Sequence, residues 1–156
     1  MAGVAQGAES IAVRPVRAAD AEAWLDMRVA LWPEGGREEH RAEIADALAT
    51  GTGDTCLVAV TADETPVGFV ELSIRAMAPG CVSDRVGYLE GWYVLPGWRR
   101  RGVGRALVAA GEAWARTSGC TEFASDALID NHISQAAHRA LGFTEVEAVV
   151  CFRKAL

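Results

Sequence analysis

The chain has 156 residues, of which 51% are hydrophobic and 23% charged, a size that corresponds to one domain able to bury a core without disulfides. Fifteen basic against twenty-one acidic residues give a net charge of −6, which argues against a nucleic-acid partner because a phosphate backbone requires a positive surface. The same charge is compatible with a cationic substrate, or it serves only solubility.

The cysteines and the amino-terminal residues bear on the cellular compartment. The four cysteines are widely spaced, without a Cys-x-x-Cys pair or a cluster at metal-ligand spacing, so we expect buried free thiols and no metal. Residues 1–9 carry no Lys or Arg, and no segment approaches the ~20 apolar residues that span a bilayer. We therefore expect a cytoplasmic protein with no membrane partner, composed of a flexible tail (1–9) and a single domain (10–156).

Hydrophobic periodicity predicts the elements of the first half of the chain. A strand at 11–15 is followed by two amphipathic helices, the first of which begins after Asp20 as a candidate cap. The period then changes to two, which is typical of strands. In order, the predicted elements are a strand at 11–15, helices at about 21–32 and 37–49, and strands at 56–60, 67–74 and 86–94.

The second half is predicted to alternate helices and strands. A long helix at 102–118 is closed by Gly119, and a helix at 131–141 is closed by Gly142. Between and after them we expect strands at 122–127 and 146–153. The order β-α-α-β-β-β-α-β-α-β favours the α/β (α+β) class, with a single mixed, mostly antiparallel sheet and helices on both faces.

A basic loop with two glycines lies between a strand and the long helix. The first backbone N–H groups of a helix have no internal partner and, with the helix dipole, favour an anion. Arg99, Arg100 and Arg101 add positive charge, while Gly102 and Gly104 allow a close approach to the backbone. The spacing Arg-x-x-Gly-x-Gly is neither a Walker loop nor a dinucleotide fingerprint. It predicts a pyrophosphate-binding loop, with a basic helix cap as the structural alternative.

The loop Arg99-Arg100-Arg101-Gly102-Val103-Gly104 is similar to the Q/R-x-x-G-x-G/A loop of the GCN5-related N-acetyltransferases. Residues 131–143 resemble the Asn-led helix, ending in Gly-Phe, of the same family. The resemblance covers nearly the whole chain from residue 11 onward. It implies a sheet splayed into a V between strands 88–94 and 122–127, with acetyl-CoA as the cosubstrate in the cleft and no metal.

The resemblance also implies roles along the acetyl-CoA cleft. The backbone N–H of Val94 would polarise the thioester carbonyl and stabilise the oxyanion, and Asn131 would bind the pantetheine or adenosine part. His138, where many relatives have a tyrosine, would donate a proton to the departing thiolate, or else be a polar filler bound to a backbone carbonyl. The residues implied in acetyl-CoA binding are Tyr93, Val94, Arg99, Arg100, Arg101, Gly102, Val103, Gly104, Arg105, Asn131 and His138.

Further segments resemble one subgroup of that family, the aminoglycoside 6′-N-acetyltransferases. They include Leu31-Trp32-Pro33, Leu89-Glu90-Gly91 and Ala124-Ser125-Asp126. This resemblance implies transfer of acetyl to the 6′-amino group of an aminoglycoside by direct attack of the amine, resistance to these antibiotics, and a homodimer. Independently, a polycationic substrate needs an acidic site, and its reacting amine must lose a proton.

Four residues are implied in substrate binding. Asp126 would orient and deprotonate the amine, Glu90 and Glu147 would bind other ammonium groups, and Trp32 would offer a flat face to a sugar ring. Each has a structural alternative: a helix cap for Asp126, a sheet arginine partner for Glu90, an exposed strand position for Glu147, and core packing for Trp32. His40, among charged residues of the second helix, is expected to be a solvated surface residue.

Two other functions compete with this interpretation. The first is an acetyltransferase of the same fold for another amine, such as a polyamine, an amino sugar or a protein terminus. The second is a non-catalytic acyl-CoA sensor. Two departures, the loop 77–84 without an aromatic residue and Gly35-Gly36 where relatives have a histidine, bear on which drug is preferred rather than on the reaction.

Overall fold

The computed structural model describes residues 10–50 and 55–156, so the predicted tail (1–9) lies outside the described residues. The strands are β1 (Ile11–Pro15), β2 (Thr55–Thr61), β3 (Pro66–Arg75), β4 (Val86–Val94) and β5 (Glu122–Ser125). The helices are α1 (Ala21–Leu31), α2 (Arg37–Thr50), α3 (Val103–Thr117) and α4 (His132–Ala140). These nine elements confirm the predicted order up to α4, with bounds that shift by at most two residues.

The strands form one sheet in the order β1-β2-β3-β4-β5. Neighbouring strands are antiparallel from β1 to β4, whereas β4 and β5 are parallel because the long helix α3 connects them. The predicted mixed, mostly antiparallel sheet is therefore confirmed.

Helices cover both faces of this sheet, as expected. Side chains of β2 alternate between two apolar clusters, as the period of a strand requires. The cluster under α3 contains Leu57, Ala59, Val67, Val70, Leu72, Leu89, Val103, Leu107 and Val108. The cluster under α1 and α2 contains Trp24, Leu25, Met27, Ile44, Cys56, Val58, Val60 and Phe69.

A β-bulge in β4 lies where the sheet opens, at the position expected for the V. Leu72 of β3 pairs with Leu89 and Glu71 pairs with Gly91, so that Glu90 is the extra residue. A bulge bends its strand and increases the local twist. On the other side of β4, the pairing with β5 ends at Leu89 and Ser125, immediately before the bulge. Beyond this point β4 continues without β5 as a neighbour, and we call this opening the V.

The predicted last strand, 146–153, is wrong for this chain. Across the described part of the chain these residues pair with no strand, and Val146, Val149, Val150 and Phe152 are exposed. Apolar alternation gives a segment strand propensity, but a strand also needs a neighbouring edge to pair its backbone groups.

Asp20 does not cap α1. Its carboxylate instead accepts hydrogen bonds from the Arg14 guanidinium at 2.8 and 3.1 Å and from the Arg17 N–H at 2.7 Å. The thiols also depart from expectation, since Cys56 and Cys120 are buried whereas Cys81 and Cys151 are not. Exposure of Cys151 follows from the unpaired carboxy-terminal segment.

His40 is buried, with 6% exposure, so the expected surface histidine is wrong. Its ring stacks on Trp32 at 6.4 Å between centroids, with Nε2 at 3.1 Å from the Trp32 carbonyl oxygen. A Cβ atom on Gly35 would lie 2.5 Å from Nε2 of His40. The glycine therefore makes room for the ring, an effect that charge patterning on the helix does not reveal.

Candidate functional site

Two acidic residues lie where β4 and β5 diverge. Glu90 is the bulge residue of β4, and Asp126 directly follows the last residue of β5. The Tyr88 hydroxyl donates a hydrogen bond to Oδ1 of Asp126 at 2.8 Å. Asp126 does not cap α4, because the cap is Asn131, whose Oδ1 accepts the Ser134 N–H.

The alternative considered for Glu90, a sheet arginine, is present in the structure. Arg75 donates from Nε and Nη2 to the two Glu90 oxygens at 2.9 and 2.6 Å, and the Ser73 hydroxyl donates to Oε1. The Arg75 guanidinium also lies 3.5 Å from the Tyr88 ring centroid. Glu90 and Asp126 are thus connected through Arg75 and Tyr88.

The loop predicted to bind pyrophosphate is followed by the predicted helix. Gly102 is the N-cap of α3 with φ at +82°, a conformation that favours glycine. The first helical bond joins the Ala106 N–H to the Gly102 carbonyl, so the N–H groups of residues 102–105 have no partner within the helix. Arg99, Arg100 and Arg101 are exposed around them. The N–H donors at this helix start, the helix dipole and the three arginine side chains together suit the binding of a pyrophosphate.

Gly104 leaves room for a side chain of β4. A Cβ atom there would lie 2.7 Å from Cζ2 of Trp92. The missing side chain therefore makes room for an indole of β4 under the helix. The Trp92 indole N–H is buried and has no hydrogen-bond partner within the described ranges.

The backbone N–H of Val94 points toward the open side of β4. The next residue, Leu95, donates its N–H to the Val67 carbonyl of β3 at 2.9 Å. Successive N–H groups of a strand alternate in direction, so the Val94 N–H points away from β3, where β5 has already ended. The Val94 carbonyl oxygen points to the same side and accepts Arg99 Nε at 2.9 Å.

His138 lies at the apex of the V, beside the last β4–β5 pair. Its Nδ1 is 2.7 Å from the Ser134 carbonyl oxygen, and its Nε2 is 2.9 Å from Oγ of Ser125. Oγ of Ser125 is also 3.1 Å from the Leu89 carbonyl oxygen. Since Nδ1 faces a carbonyl, it carries a proton. Nε2 is a donor when Ser125 donates to Leu89, and an acceptor when that hydroxyl turns toward the ring.

Trp32 is half-buried at the end of α1, between His40 and Phe69. The Arg28 guanidinium lies 5.1 Å from its ring centroid. Core packing therefore accounts for much of this side chain. Glu147 is exposed on the carboxy-terminal segment and forms no hydrogen bond or ion pair with any residue described, so the structure does not join it to Asp126 or Glu90.

Sequence reasoning missed three residues of this site: Arg75, Tyr88 and Ser125. Tyr88 pairs with Ala124 across the β4–β5 ladder, so the next same-face position beyond Ala124 is Asp126. The alternation of side chains along a strand could have identified Tyr88 as a partner of Asp126, but only if the register between β4 and β5 had been known.

Over the described ranges, no three acidic, His or Cys side chains could hold a metal, and no helix is long and apolar enough to cross a membrane.

Known proteins are similar to this chain over nearly its whole length. An aminoglycoside N(6')-acetyltransferase type 1 of Klebsiella aerogenes is 53% identical, over 92% of this chain and 96% of the relative. A protein of the same name from Stenotrophomonas maltophilia is 46% identical, over 92% and 93%.

Solved structures agree with the fold. The aminoglycoside N-acetyltransferase AAC(6')-Iy in complex with CoA has a TM-score of 0.89 at 37% identity, covering 98% of this chain and 99% of the other. AAC(6')-Ih from Acinetobacter baumannii gives 0.86 at 38% identity, covering 94% and 99%. The model of the acetyltransferase (GNAT) family matches residues 21–143. The chain belongs to this family and is an acetyl-CoA-dependent N-acetyltransferase.

Proposed function

We propose that this enzyme moves acetyl from acetyl-CoA to the 6′-amino group of aminoglycoside antibiotics by direct attack of the amine, and so confers resistance to them. The observation that carries the proposal is the pair of carboxylates, Asp126 and Glu90, at the opening of the V. Asp126 follows β5 on the side of β4 toward which the Val94 N–H points, and Glu90 is held by Ser73 and Arg75 of β3. An aminoglycoside is a polycation, so an acidic site beside the acetyl group suits it, and the relatives of 53% and 46% identity carry this activity in their names.

Asp126 acts on the amine. Its Oδ1 accepts the Tyr88 hydroxyl, whereas its Oδ2 has no hydrogen-bond partner among residues 10–50 and 55–156. Oδ2 takes the proton from the 6′-ammonium, directly or through a water, and the nitrogen lone pair then attacks the thioester carbon. Glu90, on the neighbouring strand, binds a second ammonium group, and the exposed part of Trp32 lies under a sugar ring.

Val94 and His138 act on the thioester. The Val94 N–H donates to the carbonyl oxygen as negative charge develops there, which stabilises the transition state. The attacking nitrogen carries a positive charge once it is bonded to the carbonyl carbon, and it releases its second proton to a water. When the carbon–sulfur bond breaks, the electron pair leaves with sulfur, and His138, protonated on both ring nitrogens, donates its Nε2 proton to the thiolate. The hydroxyl of Ser125 supports the donor state of the ring by turning toward the Leu89 carbonyl.

The CoA part of the substrate is held by the start of α3. The N–H groups of residues 102–105 bind the pyrophosphate, with Arg99, Arg100 and Arg101 contributing charge. Asn131 uses Oδ1 to cap α4, which leaves its Nδ2 as a donor for the pantetheine or adenosine part. We place the reaction in the cytoplasm, because acetyl-CoA is available there and a reducing compartment keeps the free cysteines as thiols.

We also propose that the enzyme is a homodimer whose carboxy-terminal segments are covered by the partner. Val149, Val150 and Phe152 are 69%, 79% and 93% exposed, which is unfavourable in water for three neighbouring apolar side chains. The segment carries Glu147, so its docking would order that carboxylate. Light scattering on the full chain should give twice the chain mass, and Val150→Asp should give the monomer mass. A monomer before substitution would contradict the dimer.

Thiol release from acetyl-CoA tests the activity. We expect rapid release with kanamycin A and little with paromomycin, which has a hydroxyl at the 6′ position. Release with spermidine or a short peptide, but with neither aminoglycoside, would favour another amine. CoA binding by calorimetry without release on any of the four compounds would favour a sensor.

A further inference from the structure

Tyr88 is a buried tyrosine of β4 whose hydroxyl contacts the exposed carboxylate of Asp126. It is 4% exposed in the middle of β4, and it donates to Oδ1 of Asp126 at 2.8 Å. The ring is held among buried side chains, with Ala78 and Val86 in the same cluster and Ala124 packed against it. The Arg75 guanidinium covers one face at 3.5 Å from the centroid.

The Tyr88 hydroxyl is the donor in its hydrogen bond to the Asp126 carboxylate. Burial, and next the Asp126 carboxylate, raise the pKa of Tyr88 well above its ordinary value. The hydroxyl therefore remains protonated, and its hydrogen lies between the two oxygens. A hydrogen bond to a charged acceptor is stronger than one between neutral groups.

Asp126 needs such a partner because little else fixes it. It follows the last residue of β5, so sheet pairing no longer holds its backbone, and it is exposed. The Tyr88 hydroxyl is the one hydrogen-bond partner of its side chain within the described part of the chain. Without this hydrogen bond the carboxylate would be free to rotate, and a base that is out of position lowers the rate of the reaction.

We propose that Tyr88 is a positioning residue for the reaction: its hydroxyl binds Oδ1 of Asp126 and thereby directs Oδ2 toward the amine. This inference rests on the proposed function, in which Asp126 is the base. It assigns to a core tyrosine a role beyond packing, and that role has a kinetic signature which packing alone would not have.

The test is Tyr88→Phe, which removes the hydroxyl and keeps the ring. We expect kcat with kanamycin A to fall about tenfold, since misplacement of a reacting group costs one to two orders of magnitude in rate. The KM for acetyl-CoA and the affinity for CoA should not change. The matched control is Thr61→Val, which removes another buried hydroxyl that donates to an aspartate, Asp63, in the β2–β3 turn. Its kcat should stay that of the wild type.

A double-mutant cycle separates positioning from packing. Asp126→Asn should lower kcat by roughly 10²–10⁴. If Tyr88 acts through Asp126, adding Tyr88→Phe to that variant should change kcat by about twofold at most. Losses that multiply, or a Tyr88→Phe enzyme with the wild-type kcat while Asp126→Asn is impaired, would overturn this inference and leave the proposed function intact. A wild-type enzyme that acetylates no aminoglycoside would overturn both.

Discussion

The indole of Trp32 lies directly against Gly91 of β4. A Cβ atom on Gly91 would be 2.5 Å from Cη2 and 2.8 Å from Cζ2 of that ring. Gly91 follows the bulge residue Glu90, and Trp32 follows the last residue of α1. The contact therefore fixes the flat face proposed for a sugar ring next to a carboxylate proposed for an ammonium group.

Gly91→Ala should weaken aminoglycoside binding without affecting acetyl-CoA. The new methyl group requires the Trp32 ring to move, and overpacking of this kind costs about 1–3 kcal/mol of stability. We expect the KM for kanamycin A to rise about fivefold, equivalent to roughly 1 kcal/mol. The control is Gly97→Ala, since a Cβ atom there meets nothing within 4 Å. An unchanged KM in Gly91→Ala would remove Trp32 from the substrate site.

Arg75→Met should strengthen binding of the polycation. Arg75 neutralises Glu90 through two hydrogen bonds, so its charge competes with a substrate ammonium for the same carboxylate. The ion pair is partly exposed and contributes little to stability, about 0–1 kcal/mol. We expect the KM for kanamycin A to fall about threefold at low salt, with a smaller change at high salt.

The control for Arg75→Met is Arg116→Met. This substitution makes the same charge change in an ion pair with Glu112 on α3. It should leave the KM for kanamycin A unchanged. A rise in KM for Arg75→Met alone would mean that the arginine orients Glu90 for the substrate instead of competing with it.

Sequence reasoning predicted those parts of the site that depend on local order. The loop from Arg99 to Gly104 was predictable because strand end, basic residues, glycines and helix follow each other without interruption. The parallel pairing of β4 with β5 agrees with the long helix between them. What the sequence does not show is the bulge at Glu90, because a bulge is defined by the pairing of β3, which lies far away in the chain.

The remaining differences arise from contacts between distant residues. Tyr88 meets Asp126 only after β4 and β5 have aligned in one register. His40 is buried because Gly35 leaves space for its ring. The segment 146–153 has strand-like alternation, but no strand edge in the described chain receives it. Propensity and periodicity describe a single segment of the chain. Each of these three outcomes depends instead on which other segment lies next to it in the fold.

Gly104→Ala should impair acetyl-CoA binding through Trp92. The added Cβ would lie 2.7 Å from the indole, which in turn lies 5.5 Å from the His138 ring centroid. Moving the indole disturbs the first turn of α3 and the apex of the V together. We expect the KM for acetyl-CoA to rise about fivefold, with a loss of about 1–3 kcal/mol in stability. Gly36→Ala, with its nearest atom at 4.0 Å, is the control. A normal KM for acetyl-CoA in Gly104→Ala would contradict this coupling.

Asp20→Asn should destabilise the fold in a pH-dependent way. Asp20 is 4% exposed, and the hydrogen bond from Arg14 holds the pKa of this carboxyl below its ordinary value. A folded-state pKa below the unfolded one means that the carboxylate contributes stability above about pH 4, the ordinary value. That contribution is lost as the pH falls through the lower, folded-state pKa.

Urea denaturation of the wild type and Asp20→Asn measures this contribution. At pH 7 we expect the variant to be less stable by about 1.5–3 kcal/mol, the range for hydrogen bonds to charged groups. Between pH 5 and 8 the difference should stay constant, because Asp20 is ionised in both states. It should shrink progressively below about pH 4, as protonation removes the wild-type advantage. Asp84→Asn, at an exposed position, should show no such difference. A difference that persists undiminished to pH 2 would mean that packing around residue 20, and not its charge, stabilises the start of α1.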